Sequence, residues 1–272
     1  MKAVLQSGEA AISYELVGIG PAVALLHEGI CDSRMWDSQV GPLVESGYSV
    51  LRYDLRGFGS STLPPGPFVH ADDLRALLDA LGIETAALVG ASLGGRIALE
   101  FALIHPARVS KLALVGAALR DWRWSDAVNR FGEEEDALLE RGDVDGAVEV
   151  NLRTWVDGPE RAPEEVDQRV RENVAEMQRL AFDVQLAAVA AGDPGPEEPL
   201  DPPASMRLSE VSAPTLILTG EQDQPDILEI ARRFAAEIPH ARLAVVARTA
   251  HVPMMERPDD FNRLLLEFLG ER

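Results

Sequence analysis

Cationic charge is what this chain lacks most. Its 272 residues hold 25 Lys and Arg against 45 Asp and Glu, a formal net charge of −20, and lysine occurs only at Lys2 and Lys111. Such a balance repels phosphate backbones and anionic headgroups, which argues against nucleic acid or a membrane surface as a partner. Cysteine is nearly missing too. Cys31 stands alone, which excludes an intramolecular disulfide and suits a reducing, cytoplasmic setting. No run approaches the roughly 20 apolar residues that cross a bilayer, and Met1 to Glu9 has no extended apolar core of the kind a secretory leader needs. No internal repeat is visible. What remains, 46% hydrophobic and 26% charged residues, is the composition of a globular protein long enough to bury a substantial core.

Apolar runs recur along the chain with helical patterns between them. Ala3-Val4-Leu5 and Ala11 to Val17, parted by Ser7-Gly8-Glu9, predict an antiparallel hairpin. Continuous runs at Ala22–Leu26, Tyr48–Tyr53, Ala86–Val89 and Lys111–Val115 fit strands covered on both faces. The spacing from Ala71 to Leu81 predicts a helix capped by Gly82. After an interruption, strands resume at Pro214–Thr219 and Arg242–Val246, and a helix from Pro258 to Leu269 ends the chain. The expected fold class is α/β, a doubly wound and mostly parallel eight-stranded sheet with helices on both faces. Residues 1–118 and 211–272 form its core, and residues 119–210 form a helical insertion over the C-terminal strand ends. That insertion is acidic at Glu133 to Asp136 and closes in an irregular stretch from Asp193 to Pro203. Its aromatics Trp122, Trp124, Phe131, Trp155 and Phe182 can line a pocket or anchor the insertion's own core, and the second accounts for most.

Directly after the Ala86–Val89 run stands Gly90-Ala91-Ser92-Leu93-Gly94-Gly95. It fits Gly-x-Ser-x-Gly, a sharp strand-to-helix turn that lifts a serine to the top of a sheet. Gly90 and Gly94 allow strand and helix to approach where a Cβ would clash. Alone, the pattern recurs in many unrelated turns. A serine nucleophile also needs a base and an acid that orients the base. Of five histidines, His70, His105 and His240 read as exposed loop residues, and His27 ends the third strand. His251 follows the last strand and opens on the same sheet edge as Ser92, which makes it the candidate base. The loop after the seventh strand offers Glu221, Asp223 and Asp226, with Asp223 preferred as the acid.

The chain order Ser92, Asp223, His251 matches that of the α/β-hydrolases, which the sequence resembles over nearly its whole length. Tyr53-Asp54-Leu55-Arg56-Gly57-Phe58-Gly59-Ser60-Ser61 is similar to a structural turn of that family. The turns around Asp54 look most like those of small lidded bacterial esterases and enol-lactonases. The resemblance implies an oxyanion hole from the backbone N–H groups of Gly29 and Leu93, each worth roughly 3–4 kcal/mol in the transition state. It also gives His27 a structural role. Glu28 departs from the family, where glycine is common, so the expectation is that it points away or pairs with an arginine. Cys31 reads as a small buried hydrophobe, and Met254 and Met255 as core filling.

The implied activity is acyl transfer to water without metal or organic cofactor, on a small to medium carboxylic ester or lactone. C–C bond hydrolysis, perhydrolysis and a non-catalytic ligand receptor are the alternatives on the same scaffold. Epoxide and haloalkane chemistry is disfavoured, because those relatives carry aspartate where this chain has Ser92. A monomer or homodimer is expected.

Overall fold

In the computed structural model, which describes residues 2–192 and 194–271, the apolar runs pair into one sheet. Its strands are β1 (Ala3–Ser7), β2 (Ala10–Val17), β3 (Ala22–Leu26), β4 (Ser49–Tyr53), β5 (Ala86–Ala91), β6 (Val109–Val115), β7 (Thr215–Gly220) and β8 (Arg242–Val246). They lie in the order β1-β2-β4-β3-β5-β6-β7-β8. β2 pairs antiparallel with both β1 and β4, and the remaining pairs are parallel. Met1, and Asp193 at the head of the expected irregular stretch, lie outside the described residues. From Pro194 to Pro203 the chain forms neither helix nor strand beyond one bridge between Phe68 and Glu197.

Period-two alternation sends successive side chains to opposite faces, and each face here has a helical cover. Ala24 and Leu26 of β3 join one core with α2 (His70–Ala80), α3 (Leu93–Ile104) and α7 (Pro225–Glu237). Val23 and Leu25 join the other with α1 (Asp37–Glu45) and α9 (Pro258–Gly270), which the short α8 (Pro253–Glu256) precedes. Burial on both sides explains why the central strands read as unbroken apolar runs. Gly82 follows α2 at φ +66°, where glycine alone is comfortable. Between β6 and β7 run α4 (Asp126–Glu140), α5 (Val144–Asn151), a π-helical turn (Leu152–Asp157) and α6 (Gln168–Ala191). The side chains of Ser125, Asp143 and Asp167 cap the three α-helices by accepting from their first free N–H groups.

Register decides where the loops emerge. Leu26 of β3 pairs with Gly90 of β5, so the turns that follow them leave the sheet side by side. The turns after β7 and β8 leave the same edge, because these strands are parallel to β5. Helix α3 packs over that edge at backbone distance. A Cβ on Gly94 would stand 2.5 Å from the His27 carbonyl oxygen, and one on Gly95 2.5 Å from Cβ of Ala117. Gly94→Ala should therefore lose more than about 3 kcal/mol, as overpacking against backbone does. Gly132→Ala meets open space inside α4 and should gain up to about 1 kcal/mol from helix propensity. Urea unfolding of both variants checks the pair.

Candidate active site

The turn between β5 and α3 holds Ser92 at φ +48°, ψ −110°, a conformation few non-glycine residues adopt. Such strain costs about 1–3 kcal/mol and persists only where neighbours over-determine it. Here Ser92 N–H donates to the Val115 carbonyl (2.9 Å), while its own carbonyl accepts from Arg96 N–H (3.0 Å) and Ala118 N–H (3.1 Å). The side chain faces a cavity that His251 also lines.

His251 Nδ1 lies 3.0 and 2.9 Å from the two carboxylate oxygens of Asp223. Both residues are buried, at 3% and 2% exposure. Gln224 N–H donates to Asp223 Oδ1 at 2.7 Å, so the acid is itself oriented. Gly116, at φ +48°, lies beneath the pair, where a Cβ would come within 3.1 Å of Nδ1. Glu221 and Asp226 are used elsewhere. Glu221 accepts from Arg248 N–H (3.0 Å), and Asp226 from Ser125 N–H (2.9 Å) and Trp122 Nε1 (3.2 Å). Burial alone would push the imidazole's pKa down. The Asp223 carboxylate outweighs it, with Glu28 adding to the effect, and the value is raised to about 9. Asp223 on Nδ1 leaves Nε2 for the cavity. Among the described residues no hydrogen bond joins Nε2 to Ser92 Oγ, a contact that in such sites often tightens only around substrate.

The segment 247–252 that carries His251 is gripped by the helices between β6 and β7. His251 N–H donates to the Trp155 carbonyl (3.2 Å), and the two rings lie 4.8 Å apart. Glu256 accepts from Ala250 N–H (2.8 Å) and pairs with Arg161 (2.5 Å), both side chains nearly buried.

Gly29 and Leu93 line the same cavity, and a Cβ on Gly29 would stand 3.8 Å from the Leu93 side chain. Among the described residues neither backbone N–H has a protein acceptor, as expected for Leu93 at a helix start. His27 is structural: Nε2 accepts from Leu55 N–H (2.8 Å) and Nδ1 lies 2.8 Å from the Glu28 carbonyl. Asp54 holds its turn by accepting from Ser33 N–H (3.0 Å) and Ser60 N–H (2.9 Å), and Arg56 binds Asp73. Met254 fills core, as expected.

Three expectations need correction. Glu28 neither points away nor meets an arginine. It is 1% exposed, lines the cavity, and places Oε2 4.0 Å from His251 Nε2. The nearby arginines are committed: Arg34 to Asp32 and Glu176, Arg96 to Glu100 and Glu197. Cys31 is buried but not merely apolar, since its Sγ donates to Glu28 Oε1 at 3.4 Å. Burial raises the pKa of Glu28 to about 7, with Asp223 adding and His251 and Cys31 opposing. His70 is not an exposed loop residue. It opens α2, is buried against Phe68, and desolvation lowers its pKa to about 4.

The aromatics take both of the roles open to them. Phe131, Trp155 and Phe182 line the cavity and also pack with the apolar residues of the insertion, while Trp122 and Trp124 pack against the other core. The cavity encloses about 320 Å³. Part of its polar wall comes from residues that carry no motif: Asn151, which bonds Glu135, with Gln178 and Gln185. Only tertiary structure brings them together. Among the described residues no cluster of three His, Cys, Asp or Glu side chains is placed to hold a metal, and no helix is long and apolar enough to cross a membrane.

Residues 22–258 match the family model of the alpha/beta hydrolase fold. A 2-hydroxy-6-oxo-6-phenylhexa-2,4-dienoate hydrolase of Comamonas testosteroni is 30% identical over 278 residues, 96% of this chain and 92% of that one. An esterase from Thermogutta terrifontis superposes with a TM-score of 0.81 at 26% identity, over 99% of this chain and 98% of its own. Est816, an N-acyl homoserine lactone degrading enzyme, does so with a TM-score of 0.74 at 27% identity, over 98% and 100%.

A buried carboxyl whose pKa rises from 4.5 to about 7 on folding destabilises the fold only once it ionises. The cost is absent below pH 4.5, grows as pH rises, and is complete above pH 7. Glu28→Gln removes the ionisable group and should melt several degrees above the parent at pH 8.5. The two should converge below pH 4.5. Calorimetric melting across that range reads the difference.

Proposed function

Because the chain belongs to the α/β-hydrolase fold family, we propose that it is a serine hydrolase of small to medium neutral carboxylic esters or lactones. Ser92 is the nucleophile, His251 the base and Asp223 the acid that orients it. Ser92 Oγ bonds to the substrate carbonyl carbon as its proton passes to Nε2 of His251. The oxyanion forms against the Gly29 and Leu93 amides, which are preorganised and need no rearrangement during the reaction. The C–O bond to the alcohol then breaks, Nε2 returns its proton to the leaving oxygen, and water resolves the acyl-enzyme by the same route. The observation that carries this reading is the strained Ser92 turn facing the same cavity as an imidazole fixed by Asp223.

Charge supports the choice of a neutral substrate. The arginine that lines the cavity, Arg96, is neutralised by Glu100 and Glu197, while Glu28 and Glu135 present carboxyl groups to the same space. The likeness to an esterase and to a lactone-degrading enzyme, at 26% and 27% identity, points the same way. In this reading residues 119–210 are a lid over a core of residues 1–118 and 211–272, and its aromatic wall contacts the acyl or alcohol group. The partner is a small molecule, and the protein works as a monomer or homodimer. A second reading, C–C bond hydrolysis, is favoured by the dienoate hydrolase at 30% identity. It would place an anionic substrate beside Glu28 and Glu135.

A fluorophosphonate probe should label Ser92 and leave Ser92→Ala untouched, and that substitution should lower kcat/KM for a short p-nitrophenyl ester at least about 10³-fold. Turnover of a 2-hydroxy-6-oxo-dienoate, with none of the esters or lactones, would instead establish the C–C reading. Because the base must be neutral to accept the serine proton, kcat/KM should climb with pH up to about 9, where His251 titrates. A limb centred near the ordinary imidazole value would contradict the Asp223–His251–Glu28 arrangement.

A further inference from the structure

We propose that Glu28 is a further catalytic residue: its Oε2 and Nε2 of His251 together hold the water that hydrolyses the acyl-enzyme. The inference rests on the acyl-enzyme reading above. Glu28 Oε2 is buried and lacks any hydrogen-bond partner among the described residues, while Oε1 is taken by Cys31 Sγ at 3.4 Å. Folded proteins rarely leave a buried acceptor empty unless a ligand or water fills it. The arginines nearest this loop and in the cavity wall are engaged elsewhere. Arg34 and Arg96 are held by other carboxylates, and Asp223 faces the far side of the imidazole.

The geometry suits one oxygen atom. Oε2 and Nε2 are 4.0 Å apart, and both groups face the cavity. An oxygen about 2.8 Å from each closes a triangle with an apex of about 90° over that 4.0 Å base. A water seated there directs one hydrogen to Nε2 and the other to Oε2, which leaves a lone pair for the acyl carbon. As the water oxygen bonds to that carbon, Nε2 takes the first proton while Oε2 retains the second hydrogen in its bond. The bond from the acyl carbon to Ser92 Oγ then breaks, Nε2 returns its proton to Oγ, and a carboxylic acid leaves. Nothing is oxidised or reduced. The upward push that burial gives the Glu28 pKa also limits how much negative charge faces the oxyanion near neutral pH.

p-Nitrophenyl acetate separates the two half-reactions, because p-nitrophenolate departs without needing a proton and only the second step uses water. The parent, Glu28→Gln and Glu28→Met are mixed with it and quenched, and acetyl-Ser92 is followed by mass spectrometry. Glu28→Met keeps the side-chain length but removes the acceptor. Its acylation should stay within about threefold of the parent while deacylation slows about 10²-fold, the size of a typical acid–base contribution. Glu28→Gln, with a neutral acceptor, should fall between them. An unchanged acetyl lifetime in folded Glu28→Met would overturn the assignment. So would equal slowing of both steps in both variants, which would make Glu28 a support for its loop. If no acetyl-Ser92 forms in any of the three proteins, the acyl-enzyme reading fails along with it.

Discussion

Three missing methyl groups set the distances of the site. Gly90, Gly94 and Gly95 let the first turn of α3 lie against the end of β3, against β5 and against Ala117 beyond β6, closer than any side chain permits. That approach forces the sharp reversal at Ser92 and brings the Leu93 amide beside Gly29. The three hydrogen bonds around Ser92 then lock a backbone conformation that would relax if left alone. A larger gap between α3 and the sheet would separate the serine from the loop after β3 and from the imidazole together.

Electrostatics provides the second constraint. Two carboxyl groups flank one buried imidazole, Asp223 against Nδ1 and Glu28 across from Nε2. Each carboxylate makes a proton on the ring more favourable, and the low local dielectric strengthens both effects. The ring is thereby a stronger base and, near neutral pH, more often already protonated. Only the Asp223 side is bonded directly, so its hold on ring orientation exceeds that of Glu28. The open side is the one that faces the cavity.

Local order and pattern made much of this molecule legible in its sequence. The central β-strands are legible because each is buried on both faces, and β3 and β8 have the bounds expected from their apolar runs. Asp223 shares its place after β7 with Glu221 and Asp226, and it is the one of the three that meets His251. Glu28 was noticed as a misfit, yet its direction was misread, because which way a side chain turns depends on partners distant in the chain. The burial of His70 is hidden for a similar reason: beside its neighbour Phe68, the charged groups acting on it include Arg96 and Glu197, both distant in the chain. The cavity wall was the least legible part. Asn151, Gln178 and Gln185 sit on amphipathic helices where a polar residue ordinarily signals solvent, and only the way those helices lie across the sheet edge turns them inward.

The hold that Trp155 and Arg161 keep on the segment around His251 bears on how such a protein can diversify. The helices that line the cavity also brace His251. Grafting another hydrolase's helices between β6 and β7 would therefore change the cavity wall and the seat of His251 in one step. A recombination that kept the joint at Trp155, Arg161 and Glu256, and replaced only α4 and the outer half of α6, would decouple them. The joint marks where one exchangeable cassette ends and the seat of His251 begins.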